Sequence, residues 1–230
     1  MSSDSDLRAL YPFLHGRAQD PDKLDAMLLG SVAEKARDSR RTNEAFFADQ
    51  APALLAAARS IATVYRANGR LLSMGNGGSS CDAAHVAVEF AHPVTAGRPA
   101  LPAVNLTADV AFTTAVANDV GFEHVFVRAL VATGRKGDAL IGFSTSGNSA
   151  NLLAAFAKAR ELSITTIGFA GGDGGRMRSS GSVDHCLVVP SDSIHRVQEC
   201  HVAAYHVLWD LVCTLLADDR GSAQGKGAAA

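Results

Sequence analysis

Five short apolar runs recur between residues 71 and 189, each separated from the next by a stretch with helical spacing. Runs of that length read as strands, expected at Leu71 onward, Ala103–Leu106, Asp138–Ser144, Thr165–Ala170 and Cys186–Val189. The helices between them are expected over Ser79–His92, Val110–Ala117, Phe122–Ala132 and Ser149–Glu161. Parallel strands need long crossovers, so this alternation implies an α/β chain with a parallel sheet covered by helices on both faces. Ligands of such sheets bind in the crevice at the carboxyl ends of the strands. The turns after the Leu71 run and after Phe143 both fall on that edge.

Ahead of this core, residues 1–20 are polar and interrupted by Pro12 and Gly16, so an irregular N-terminus is expected. Asp20-Pro21 reads as a helix start, and Leu24, Met27, Leu28, Val32 and Ala36 recur at helical spacing. Gln50-Ala51-Pro52 is expected to divide two helices, because proline lacks the N–H an interior position needs. Asn68-Gly69 is a C-cap signal. The last helix is expected from His195 to Leu216, with Tyr205 and Trp209 as core anchors. The segmentation is thus 1–20 irregular, 21–68 helical extension, 69–217 α/β domain and 218–230 a disordered tail without core formers.

A net charge of −2 gives no basis for nucleic-acid binding, although a nest of N–H groups holds a small anion without net positive charge. Cys81, Cys186, Cys200 and Cys213 lack CxxC or zinc-finger spacing, which suggests reduced thiols. The N-terminal residues lack a signal-peptide pattern, and no apolar run is expected to approach membrane-spanning length. A soluble cytoplasmic protein with no membrane partner is expected.

The Leu71 run passes into Gly75-Asn76-Gly77-Gly78-Ser79-Ser80 and then a helix, which aims N–H groups and hydroxyls at a helix N-terminus, a setting for phosphate. The turn is neither GxGxxG nor a Walker loop, and alone it could be only a tight connection. A second turn, Ser144-Thr145-Ser146-Gly147-Asn148-Ser149, follows another strand and offers four hydroxyls, which bind phosphate oxygens without adding a competing base. It could also be an N-cap. Two such turns on one sheet edge favour a sugar-phosphate site.

His85 and Glu89 are four residues apart and share a helix face. On the last helix, Gln198 and His206 are eight residues apart, roughly 80° around the axis. Two imidazoles, a carboxylate and an amide oxygen make a tetrahedral zinc set, with glutamine an uncommon member. His195, Glu199 and His201 compete for the same role, and periodicity does not choose between them. Asn118-Asp119 either caps a helix or contacts a sugar.

Taken together, Gly75–Glu89, Asn118-Asp119, Gly137–Ser149 and Arg196–His206 resemble the sugar isomerase (SIS) domain family, and within it the phosphoheptose isomerase group. The resemblance covers about residues 45–216. It implies a three-layer αβα sandwich with a flavodoxin-like five-stranded sheet, a homotetramer, and active sites between subunits. It further implies that Asn76, Gly77, Gly78, Ser79, Asn118, Asp119, Ser144, Thr145, Ser146, Ser149 and Gln198 contact a phosphosugar. His85, Glu89, Gln198 and His206 become zinc positions, with Glu89 the base and His206 the acid of a ketose–aldose isomerisation through an enediol. Ser80-Cys81 and Ala84, Phe90-Ala91-His92-Pro93-Val94 and Ser193-Ile194-His195-Arg196 depart from the usual family pattern and bear on the choice of sugar. Non-catalytic relatives lack the equivalents of Glu89 and His206, which this chain keeps.

Overall fold

The computed structural model describes residues 21–95 and 97–224; the expected irregular segment 1–20 and the end of the expected tail, 225–230, lie outside them. Helix α1 runs from Pro21 to Arg66 as one element with Pro52 inside it, so the expected division at Gln50-Ala51-Pro52 does not occur. The lost proline N–H bond is offset by burial on both sides of it: Phe46, Leu54, Ala57, Ala58 and Ile61 enter the same core. Compactness divides the chain between Asp38 and Ser39, within α1. In the first unit Met27, Leu28, Leu29 and Val32 are exposed.

In the second unit α1 is closed by a turn at Asn68, which takes the left-handed conformation (φ 60°) while the Gly69 N–H donates to the Val64 carbonyl at 2.9 Å. The chain then alternates: β1 Leu71–Gly75, α2 Gly78–Ala91, β2 Ala103–Asn105, α3 Val110–Asp119, α4 Val125–Thr133, β3 Ala139–Ser144, α5 Ala150–Glu161, β4 Thr165–Gly171, α6 Gly175–Ser179, β5 His185–Val189 and α7 Ile194–Gln224. A 3₁₀ turn at Phe122–His124 precedes α4, and the one-turn α6 has no counterpart in the sequence expectations. Helix α7 runs past Leu216, the end expected for it.

All strands pair in parallel in the order β2-β1-β3-β4-β5. Period-two alternation sends Leu71, Ile141, Phe143, Ile167, Phe169, Leu187 and Val189 into a core shared with the second half of α1, α2 and α7. Leu72, Met74, Leu140 and Ala170 face the opposite core, filled by Val116, Phe126, Leu130, Leu152 and Phe156 of α3, α4 and α5. This is the expected three-layer αβα sandwich. Residues Ile194–Ala217 of α7 reach a mean hydropathy of 1.4, high enough for a membrane span, although polar residues interrupt the run. Their apolar side instead fills the core through Val197, Cys200, Ala204, Tyr205, Leu208 and Val212.

From β1 the chain departs to β2 on one side, and from β3 it departs to β4 on the other. β1 and β3 are hydrogen-bonded neighbours, so the order reverses between them and opens a crevice there. Gly75 pairs with Phe143, which brings the two polar turns out side by side.

Candidate active site

The first turn leaves β1 at Gly75 and enters α2 through Gly77, whose φ of 53° favours glycine and whose lack of a side chain leaves the helix start without a side-chain cap. Ser79 is buried, while Gly77 and Gly78 are exposed. The second turn leaves β3 at buried Ser144, and the Ser144 and Ser149 hydroxyls lie 3.0 Å apart. Thr145 and Ser149 are half-buried and Ser146 is exposed. Gly147 is left-handed (φ 64°), and a Cβ there would lie 2.1 Å from the Gly174 carbonyl. The loop is tied from behind: the Met177 N–H donates to the Gly147 carbonyl at 2.8 Å and the Arg176 N–H to Asn148 Oδ1 at 3.0 Å. The short α6 thus shapes the serine loop. Across the crevice, the Asn76 and Asn151 side-chain amides bond each other twice, each at 2.9 Å.

Beside the turns, α2 and α7 pack together and bring His206 to the His85–Glu89 pair. His85 Nε2 lies 3.1 Å and His206 Nε2 3.9 Å from Glu89 Oε1. The donor atoms of His85, Glu89 and His206 all fall within 4.8 Å of one another. Glu89 is the more sheltered, its side chain 16% exposed against 43% for His85 and 40% for His206. The Tyr205 hydroxyl bonds His85 Nδ1 at 2.6 Å, and the Tyr205 ring packs against both imidazoles. One turn before His85, Asp82 is buried with Oδ2 lacking a hydrogen-bond partner among the described residues. Burial pushes its carboxyl up to about 6, partly opposed by His85. Burial, with the charges of Asp82 and Glu89, raises the Tyr205 phenol further above its ordinary value, so it stays a neutral hydroxyl.

Gln198 lies against the first turn. A Cβ on Gly78 would meet Gln198 Nε2 at 2.2 Å, so glycine at 78 makes room for that side chain. The competitors left open by periodicity go elsewhere. His201 is fully buried among Phe143 and Phe169, with Nε2 3.3 Å from the Ala170 carbonyl, and burial lowers its pKa to about 4. Glu199 pairs with Arg196, and His195 is exposed. Asn118 and Asp119 close α3 with both side chains exposed and bonded to each other at 2.9 Å.

Two imidazoles and a carboxylate match the three protein donors of a catalytic zinc centre, so these residues fit such an ion. Residues 36–171, more than half of the chain, match the SIS domain family. The chain belongs to that family.

Among SIS proteins it groups with the phosphoheptose isomerases. The phosphoheptose isomerase of Desulfovibrio desulfuricans is 47% identical over 184 residues, 80% of this chain and 86% of the relative. The phosphoheptose isomerase structures from Neisseria gonorrhoeae (35% identity, TM-score 0.75) and Francisella tularensis (32%, 0.77) superimpose on 80% and 81% of this chain, and each is covered over 98% of its own length. Two residues of this SIS site escape a reading from spacing. Tyr205 looks like a core aromatic and is one, yet its hydroxyl reaches His85. Asn151, on the first turn of α5, carries no motif signal because its partner is 75 residues away.

Proposed function

We propose that this protein is a ketose–aldose isomerase that interconverts sedoheptulose 7-phosphate and D-glycero-D-manno-heptose 7-phosphate. The observation that carries the reading is the convergence of Glu89 and His206, from two different helices, beside two hydroxyl-rich turns at the switch point of the sheet. Kinship with the phosphoheptose isomerases supports it.

In the forward direction Glu89 takes the proton from C1 of the ketose, and His206 delivers a proton to O2 as the carbonyl opens to an enediol. The O1 proton then passes to His206, restoring it as an acid, as C1 becomes the aldehyde, and C2 receives the proton held by Glu89. The shelter of Glu89, relative to the two histidines, limits its hydration where it must accept a carbon-bound proton. Ser144, Thr145, Ser146 and Ser149 hold the phosphate, while Asn76, Gly77, Gly78 and Ser79 meet the sugar, with Asn118, Asp119 and Gln198 as further polar contacts. Binding energy from the phosphate, remote from the reacting carbons, is available to orient them. His85, Glu89 and His206, with Gln198 as a fourth donor, would hold one Zn²⁺ per subunit, which supplies Lewis-acid polarisation of the carbonyl oxygen when bound.

The open His85 and His206 side chains and the exposed Met27, Leu28, Leu29 and Val32 suit a homotetramer that covers these groups at subunit contacts. We place the enzyme in the cytoplasm, acting on a soluble phosphosugar, with no nucleic-acid or membrane partner. The test is direct assay of sedoheptulose 7-phosphate isomerisation by purified protein, chelator-treated and then zinc-reloaded. Absence of turnover in every form rejects the reading, and full activity after chelation removes zinc from it. The departures at Phe90–Val94 and Ser193–Arg196 favour a second candidate, isomerisation of another phosphosugar, which a profile over heptulose, hexulose and amino-sugar phosphates separates from the first.

A further inference from the structure

We propose that Asn151 is the positioning residue of this site, clasping the sugar turn to the phosphate loop at a fixed separation. The proposal rests on the phosphosugar reading above. Asn76 Nδ2 donates to Asn151 Oδ1 and Asn151 Nδ2 donates to Asn76 Oδ1, both at 2.9 Å, closing a ring of two amides. Asn151 Oδ1 also accepts from the Leu152 N–H at 3.0 Å, and the residue is 3% exposed. A singly bonded side chain can swivel; a doubly bonded amide pair fixes distance and rotation together.

The place of the pair gives it a function. Asn76 is the first residue after β1, in the turn assigned to the sugar; Asn151 sits two residues after Ser149, which ends the loop assigned to the phosphate. A substrate held at both ends needs these turns in register, because a misplacement of about 1 Å can cost 10²-fold in rate. The strand pairing ends at Gly75 and Phe143, just short of the loops themselves. The clasp extends that register into the site. It also takes up one lone pair of Oδ1 and one N–H of Asn76, leaving the second N–H for the sugar.

The experiment is a double-mutant cycle on the full-length protein with Asn76→Ala, Asn151→Ala and the pair, measured on sedoheptulose 7-phosphate. Each single substitution should lower kcat/KM by about 10–100-fold, and the double should fall no further, because each acts through the other. Inhibition by inorganic phosphate, which needs the serine loop alone, should stay within about twofold of wild type. Multiplying losses, a phosphate Ki that rises in step with the fall in turnover, or an Asn151→Ala enzyme with undiminished kcat/KM each overturn the proposal. If Asn151→Ala does not fold, Asn151→Asp makes the same comparison, since it keeps the acceptor and loses the donor. A wild-type protein without heptulose isomerase activity sinks the functional reading and leaves the clasp to hydrogen exchange. Faster exchange across residues 76–80 in the variant than in wild type supports it, and unchanged exchange there rejects it.

Discussion

The Tyr205 hydroxyl stands 2.6 Å from Nδ1 of His85, on the far side of the ring from Glu89, whose Oε1 lies 3.1 Å from Nε2. As a ligand of the proposed zinc site, His85 would be oriented by what its second nitrogen bonds, and that partner is a buried phenol. Tyr205→Phe keeps the ring contacts with His85 and His206 and removes only the hydroxyl. Zinc affinity, measured by calorimetric titration, should fall about 10–100-fold while the thermal midpoint of the metal-free protein changes little. Equal affinity in the two proteins would remove Tyr205 from the site.

Glu89 carries the chemistry in the proposed reaction. Glu89→Gln preserves size and half of the hydrogen-bonding capacity but cannot accept the carbon-bound proton. Turnover should drop roughly 10²–10⁴-fold. Phosphosugar binding, read by calorimetry, should persist, because the two turns are untouched. Normal isomerisation by this variant would reassign the base.

Gly78 and Gly75 separate function from stability within one turn. At Gly78 a Cβ collides with the flexible end of Gln198, so Gly78→Ala should fold normally and lose roughly tenfold in kcat/KM as the amide is pushed aside. At Gly75 the Cβ would lie 2.1 Å from the Ser79 carbonyl, which is backbone and cannot yield. Gly75→Ala should therefore cost about 2–3 kcal/mol in urea unfolding. The opposite ranking would mean that Gln198 does not rest on the turn.

His201 makes stability depend on pH. Its pKa is about 4 when folded, below the ordinary histidine value of 6.5, because burial opposes the charge. The unfolded chain therefore binds more protons between those values, and the contribution is complete above pH 6.5 and lost as pH falls through 4. The loss amounts to roughly 3 kcal/mol. Urea titrations from pH 7 to 4 should show that slope in the wild type and a shallower one in His201→Gln. Parallel curves would contradict the assignment.

The strands were legible because each apolar run carries its own evidence: Ala139–Ser144 is buried throughout and reads so residue by residue. Pro52 misleads because a local rule meets a long-range gain, the burial of Phe46 and Leu54 on either side of it. On α7 the spacing left His195, Glu199, His201 and His206 as alternatives; only the packing of α7 on α2 sends His206 to Glu89 and His201 into the core. Tyr205 and Asn151 were illegible for a related reason. Their partners, His85 and Asn76, lie 120 and 75 residues away, and nothing in local sequence records a bond across such a distance.

Because β1 and β3 are adjacent strands, the two turns leave the sheet one backbone spacing apart, about 4.8 Å. That gap works as a ruler anchored in backbone pairing, which the Asn76–Asn151 bonds carry into the loops. A change of sugar must then be written outside it, in the segments that flank the ruler's ends. Ser193–Arg196 is such a segment, with Ile194 lining the same cleft as Thr145 and Ser146, and retargeting this enzyme should begin there rather than at the turns.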